Sequence, residues 1–213
     1  MFNKQTLINI LSPDSGHIRE HNGTHTSLGF GEIHIALIQN LRPTNALVLG
    51  SRYGFIPGCI AAAMAEIGHG HIDFVDANYN DTVHGEGIAY GGVGAWTDPM
   101  TRFTTLGLQN RITTYICRTD QYWPDCQTMY DYIYFDANHS YRGIYEDFVN
   151  SGKNRHTKTW LVFHDSLVDH PNFGVKLFLE MFREQLFDVF ETLTIPIWPG
   201  LTIVRQKEIS ESD

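Results

Sequence analysis

The chain has no apolar run of 18 residues, so nothing in it is read as a membrane-spanning helix. Its N-terminus, MFNKQTLINILSPDSG, lacks the basic stretch and small-residue cleavage site of a secretory signal, which makes a cytoplasmic protein with no membrane partner the expectation. Basic residues are scarce: 15 Lys and Arg against 24 Asp and Glu give a formal net charge of −9, and the 15 are scattered. Binding a phosphate backbone requires a basic patch, so a nucleic-acid partner is disfavoured and a small molecule is expected instead. Cysteine is sparse too. Cys59, Cys117 and Cys126 are odd in number and lack metal-type spacing, which reads as buried thiols in a reducing compartment. Repeats and long linkers are missing. With 213 residues and 42% hydrophobic content, the chain is read as one domain over 1–213 with one substantial core, and a homo-oligomer stays open.

What is present is an alternation of periods. Phe30, Ile33, Leu37 and Leu41 have helical spacing and precede ALVLGS, a strand at 46–51. Ile56, Ile60, Met64 and Ile67 mark the next helix, with Pro57 tolerated in its first turn. HIDFVDA is a second strand over 71–77. Residues 78–96 are glycine-rich and too long for an ordinary connection, so they read as a functional or flexible insertion, with a plain surface excursion weighing equally. A helix over DPMTRFTTLGLQN, a strand at RITTYIC, a strand at YDYIYFD, a helix over 141–149 and a strand at TWLVFHD follow. Val175, Phe178, Phe182 and Leu186 mark a last helix before the strands VFETLTI and LTIVRQ. Only PIWPG separates that final pair. A parallel crossover needs about a dozen residues or more, so the two form an antiparallel hairpin on an otherwise parallel α/β sheet.

The chemistry concentrates in YDYIYFDANHSY (130–141) and WLVFHDS (160–166), where apolar strands run straight into Asp136, His139, His164 and Asp165. Ligands in open α/β sheets bind beyond such strand ends. A carboxylate set beside imidazoles there loses hydration unless a proton, metal or ligand compensates. Singly, each residue has an ordinary alternative as a helix cap or a satisfied local partner. Together at adjacent strand tips they favour function. His17, His21 and His25 recur every four residues, but Gly16 and Gly23 interrupt the pattern, so residues 1–26 read as a solvated or lid-forming cover rather than a metal helix. Trp96, Trp123 and Tyr141 read as packing residues ahead of pocket-lining ones.

The closing hairpin, the turn VLGSRYGFIPG (48–58), and Asp76, Asp120 and Asp136 at successive strand ends resemble the class I S-adenosylmethionine-dependent methyltransferases. The resemblance implies a Rossmann-like, mostly parallel seven-stranded sheet with a C-terminal antiparallel hairpin and helices on both faces. It implies a cofactor site made of Gly50, Ser51, Gly54, Asp76 and Asp120, with Asp76 on the ribose hydroxyls and Asp120 near the adenine amine. The family usually carries an acidic residue two positions before the first glycine; here it is Val48.

DANHSY with the later FHDS, and HDSLVDHPNFGVKLF around it, is similar to a subgroup that includes metal-dependent O-methyltransferases of macrolide sugars, over about Gly23 to Val204. Carried over, Asp136, His164 and Asp165 bind a divalent ion, magnesium or manganese, and His139 is the base, with His164 standing where the sugar enzymes have a second carboxylate. The expected activity is O-methylation of a small hydroxylated acceptor, a sugar or natural product. Competing readings are a cofactor-binding scaffold that has lost turnover and a dinucleotide-dependent oxidoreductase. The latter is disfavoured by the hairpin and the absence of a compact GxGxxG.

Overall fold

Short apolar strands that are buried on both faces can only sit at the centre of a layered sheet, and the burial of Leu47, Val48, Leu49, Tyr132, Ile133 and Tyr134 places them there. The computed structural model describes residues 2–12, 18–19, 21–51, 54–77, 83–84, 87–88 and 99–207. Its elements run α1 (Lys4–Leu11), α2 (Phe30–Leu41), β1 (Asn45–Leu49), α3 (Phe55–Glu66), β2 (His71–Asp76), and the short pair β3 (Val83–His84) and β4 (Gly87–Ile88). Then come α4 (Pro99–Thr105), β5 (Ile112–Ile116), α5 (Thr119–Tyr122), β6 (Tyr130–Phe135), α6 (Tyr141–Asn150), β7 (Arg155–His164), α7 (Val175–Leu186), β8 (Phe190–Ile195) and β9 (Leu201–Gln206).

The main sheet has seven strands in the order β5-β2-β1-β6-β7-β9-β8. Strands β5 through β7 are mutually parallel, and β9 lies antiparallel to both β7 and β8. The expected mostly parallel sheet with a terminal hairpin is the one found. Side-chain alternation splits the core between the two faces. Val48, Tyr132, Tyr134 and Val162 pack with residues of α1, α2 and α3, whereas Leu47, Leu49, Ile133 and Phe163 pack with α6 and α7.

Three elements depart from the sequence reading. Helix α1 arises in the N-terminal cover, where Asn3 caps it by accepting from the Gln5 and Thr6 amides, and its Leu7, Ile8 and Leu11 enter the core. Helix α4 stops at Thr105 because Gly107 turns the chain with φ 71°, well before the end of the expected run. Strand β7 begins at Arg155, across a register shift opposite Tyr130–Tyr132; the polar RHTK stretch carries no strand periodicity to announce it. Of the insertion at 78–96, only the β3–β4 ladder is described; its remainder, including Trp96, lies outside the described residues, as do Gly16 and His17. Trp123 is buried beside Tyr122, in keeping with a packing role.

Strand order reverses between β1 and β6, which opens a crevice at their C-terminal ends. There Gly50 donates its N–H to Val75 O at 2.8 Å, and Asp136 donates to Leu49 O at 2.8 Å. Gly50 has φ 72°, and a Cβ on it would lie 2.2 Å from Asp136 O and 2.6 Å from Ala137 Cα. Only glycine lets the two strand ends close together. Gly50→Ala should therefore lower unfolding stability in urea by about 2–3 kcal/mol, from the left-handed backbone and the displaced neighbour; an unchanged midpoint at equal slope would contradict this packing.

Candidate active site

Adjacent parallel strands β6 and β7 end side by side, with Phe135 opposite Phe163, so the residues that follow them share one spot. His139 Nε2 lies 2.9 Å from Asp165 Oδ2 and 3.4 Å from Asp136 Oδ1. His164 Nδ1 lies 3.1 Å from Asp136 Oδ1 and 3.3 Å from Asp165 Oδ2. Each imidazole thus faces both carboxylates. Tyr134 adds a hydroxyl that donates to Asp136 Oδ2 at 3.3 Å. The capping alternative for Asp136 is not the one realised, since Ser140 caps α6 by accepting from the Gly143 amide at 3.0 Å. The backbone of Asp165 sits at φ 54°, a left-handed conformation that costs of order 1 kcal/mol or more and tends to mark functional turns.

Burial governs the electrostatics. It alone would raise the Asp136 carboxyl, but the charge of His164 and hydrogen bonds from His139 and His164 overcome it and hold Asp136 well below the carboxylate range. Asp165 is lowered in the same way. Burial opposes charge on His139 as well, yet its hydrogen bonds to Asp136 and Asp165 push it up to about 9. His164 is raised well above its ordinary value against the same penalty, chiefly by the charges of Asp136 and Asp165. Without another cation, the two carboxylates favour charge on both imidazoles.

His21 joins them, which the sequence reading did not foresee. Its ring centroid is 4.8 Å from that of His164 and stacks on Phe55 at 5.4 Å, and the residue is only 2% exposed. A solvated role is therefore wrong for His21, although His25 is exposed. Its loop is pinned to the start of α2: the Phe30 amide donates to His21 O at 2.8 Å, and Gly29, with φ 55°, would place a Cβ 2.2 Å from that same oxygen. Topology held the missing signal. Helix α2 leads into parallel strand β1 and must run antiparallel to it, so the loop before α2 lies at the edge where the strands end.

Among the described residues, two sets of side chains could hold a metal ion: His21, Asp136 and His164, and Asp136, His139 and Asp165, with ligand atoms within 4.8 Å of one another in each. His164 Nε2 is buried without a hydrogen-bond partner among the described residues, a donor atom that suits an ion better than a packed wall.

The glycine turn lies across the crevice. Gly54 adopts φ 78° at the start of α3, and its N–H donates to Ser51 O at 3.0 Å. Asp76 ends β2 and accepts from the Ser51 amide at 3.1 Å, tying the turn to the second strand. The Ser51 hydroxyl is buried with no hydrogen-bond partner among the described residues, as a ligand-facing group in a cradle would be. Asp120 begins α5 on the surface, ion-paired with Arg118. Val48 is fully enclosed in the core, so β1 offers no carboxylate to the crevice.

A family model described as a methyltransferase domain matches residues 47–166, more than half of the chain and a span that contains Gly50, Asp76, Asp120, Asp136, His139, His164 and Asp165 but not His21. Among solved structures, the O-methyltransferase TomG from Streptomyces achromogenes, in complex with S-adenosylmethionine, is 17% identical with a TM-score of 0.67, over 97% of this chain and 92% of its own. The S-adenosylhomocysteine-bound methyltransferase PaMTH1 from Podospora anserina is 14% identical with a TM-score of 0.68, over 97% and 89%. An O-methyltransferase from Bacillus cereus in complex with S-adenosylhomocysteine is also 14% identical with a TM-score of 0.68, over 97% and 93%. No curated protein sequence matches. The strand order, the glycine turn at the switch point and the family match together make this chain a member of the methyltransferase-domain family, with the fold of the class I S-adenosylmethionine-dependent enzymes.

Proposed function

We propose that the chain transfers the methyl group of S-adenosylmethionine to a hydroxyl oxygen of a small acceptor, a sugar or natural product, with a divalent ion assisting. The observation that carries this reading is the pair Asp136, partly buried, and Asp165, buried, each facing the same two imidazoles beside the glycine turn. Gly50, Ser51, Gly54, Asp76 and Asp120 hold the cofactor, with the Asp76 carboxylate on the ribose hydroxyls. TomG, an O-methyltransferase involved in tomaymycin synthesis, lends the acceptor class its support through shared fold.

An aliphatic hydroxyl is almost wholly protonated at neutral pH and is a poor nucleophile until its proton is removed. A divalent ion held by Asp136, His164 and Asp165 would lower that hydroxyl's pKa and fix its orientation. His139 Nε2 faces the same carboxylates and receives the proton as the O–CH3 bond forms and the sulfonium S–CH3 bond breaks, leaving S-adenosylhomocysteine. Compensating the two carboxylates also removes the attraction that keeps His139 protonated, so ion and base belong to one device. Orientation of the two reactants supplies much of the remaining acceleration, up to roughly 7–11 kcal/mol. The buried Val48 favours one second reading, a scaffold that binds the cofactor without turnover.

Two measurements bear on this reading. In calorimetry, Asp76→Ala should weaken S-adenosylhomocysteine by about 1.5–3 kcal/mol, through lost charge-assisted bonds to the ribose; unchanged affinity would displace the cofactor from this crevice. With an acceptor found among glycosides and catechol-like diols, His139→Ala should reduce turnover by about 10²–10⁴-fold and leave cofactor affinity nearly intact. Full rate in that variant and in chelator would defeat the metal-and-histidine mechanism, and absence of turnover with every acceptor despite tight cofactor binding would favour the scaffold.

A further inference from the structure

The donor set at the crevice is unusually rich in nitrogen for an oxygen-loving ion. His164 lies on the same face of β7 as Val162, toward α2 and α3, and that is the side His21 covers. His21 and His164 are 2% and 4% exposed, and Asp136 completes a three-residue set with them. Phe55, Phe30 and Tyr134 wall this side: Phe55 stacks on His21, while Phe30 and Tyr134 meet His164 edge-on. Imidazole nitrogen suits iron, nickel, copper and zinc, whereas magnesium prefers oxygen in near-octahedral geometry and keeps several waters. A buried, aromatic-walled site with two imidazoles disfavours magnesium on both counts.

We infer that His21 is a further ligand of the divalent ion, that it joins Asp136, His164 and Asp165 in a centre of two imidazoles and two carboxylates, and that this centre selects a first-row transition ion over magnesium. Asp165 and His139 complete the opposite side, where acceptor oxygens would enter. The inference rests on the metal-assisted reading above and extends it to a residue outside the region matched by the family model. It also gives the segment before α2 a chemical duty: its Phe30 and Gly29 contacts fix the His21 backbone, so the ion ties this segment to the strand ends.

The test uses the full-length chain stripped of metal and titrated with cobalt(II), followed by its visible d–d bands, X-ray absorption and metal content per chain. One ion per chain should bind, with at least two imidazoles in its first shell, and a large excess of magnesium should not displace it. His21→Phe keeps a ring between Phe55 and His164 and removes the nitrogens. It should lose one imidazole from the absorption signature and weaken cobalt by more than about 100-fold, beyond the usual cost of losing a group that only supports a ligand. S-adenosylhomocysteine affinity and thermal unfolding of the metal-free variant, both near wild type, establish that it folds. An unchanged cobalt spectrum and affinity in His21→Phe would overturn the ligand assignment while leaving the metal-assisted mechanism standing. Failure of the unmodified chain to bind cobalt at all, or displacement by magnesium, would overturn the ion selectivity; if magnesium also failed to bind, the metal-assisted reading would fall with it.

Discussion

Two carboxylates with most of their surface out of water must be electrically compensated, and the rest of the site follows from that requirement. Parallel pairing of β6 with β7 brings Asp136 and Asp165 to one point, and the surrounding core takes most of their surface out of solvent. An isolated buried carboxylate is costly enough to protonate or to draw in a partner. Here the partners are His139 and His164, and His21 closes the remaining side. The same arrangement offers the donors that a proton or a cation would need, which is the condition the proposed activation of a hydroxyl requires.

The scaffold meets this requirement with few special residues. Gly50 lets the turn after β1 approach the end of β6, so the glycine turn and the charged cluster share one crevice. Asp76 joins the turn to β2 through the Ser51 amide. At the far side, β9 pairs Leu201 with His164, and Leu167 donates to Pro199 O at 2.9 Å, so the terminal hairpin braces the loop that carries Asp165. The antiparallel closure therefore supports the site as well as completing the sheet.

Much of this was legible in the sequence because strands buried on both faces leave strong marks. LTIVRQ and the helix over 175–186 agree with the structure to the residue, and YDYIYFD overshoots β6 only by Asp136. The clustering of Asp136, His139, His164 and Asp165 was readable because each follows an apolar strand whose end must face the crevice. Helix α1 was not, since its polar and apolar positions are set by packing against α3 rather than by a long periodic run. His21 was missed for a related reason. Its nearest chemical neighbours, Asp136 and His164, are more than a hundred residues away in sequence, and only the direction of α2 relative to β1 brings them together.

The central claim is that a divalent ion on the Asp136–Asp165 cluster sits beside the methyl group being transferred. Nuclear magnetic resonance of S-adenosylmethionine labelled with carbon-13 at its methyl group, bound to the manganese-loaded chain, tests it most directly. The account predicts strong paramagnetic broadening of the methyl signal that disappears when Asp136→Asn removes the ion and leaves the cofactor bound. A sharp methyl signal with both cofactor and manganese bound would contradict it.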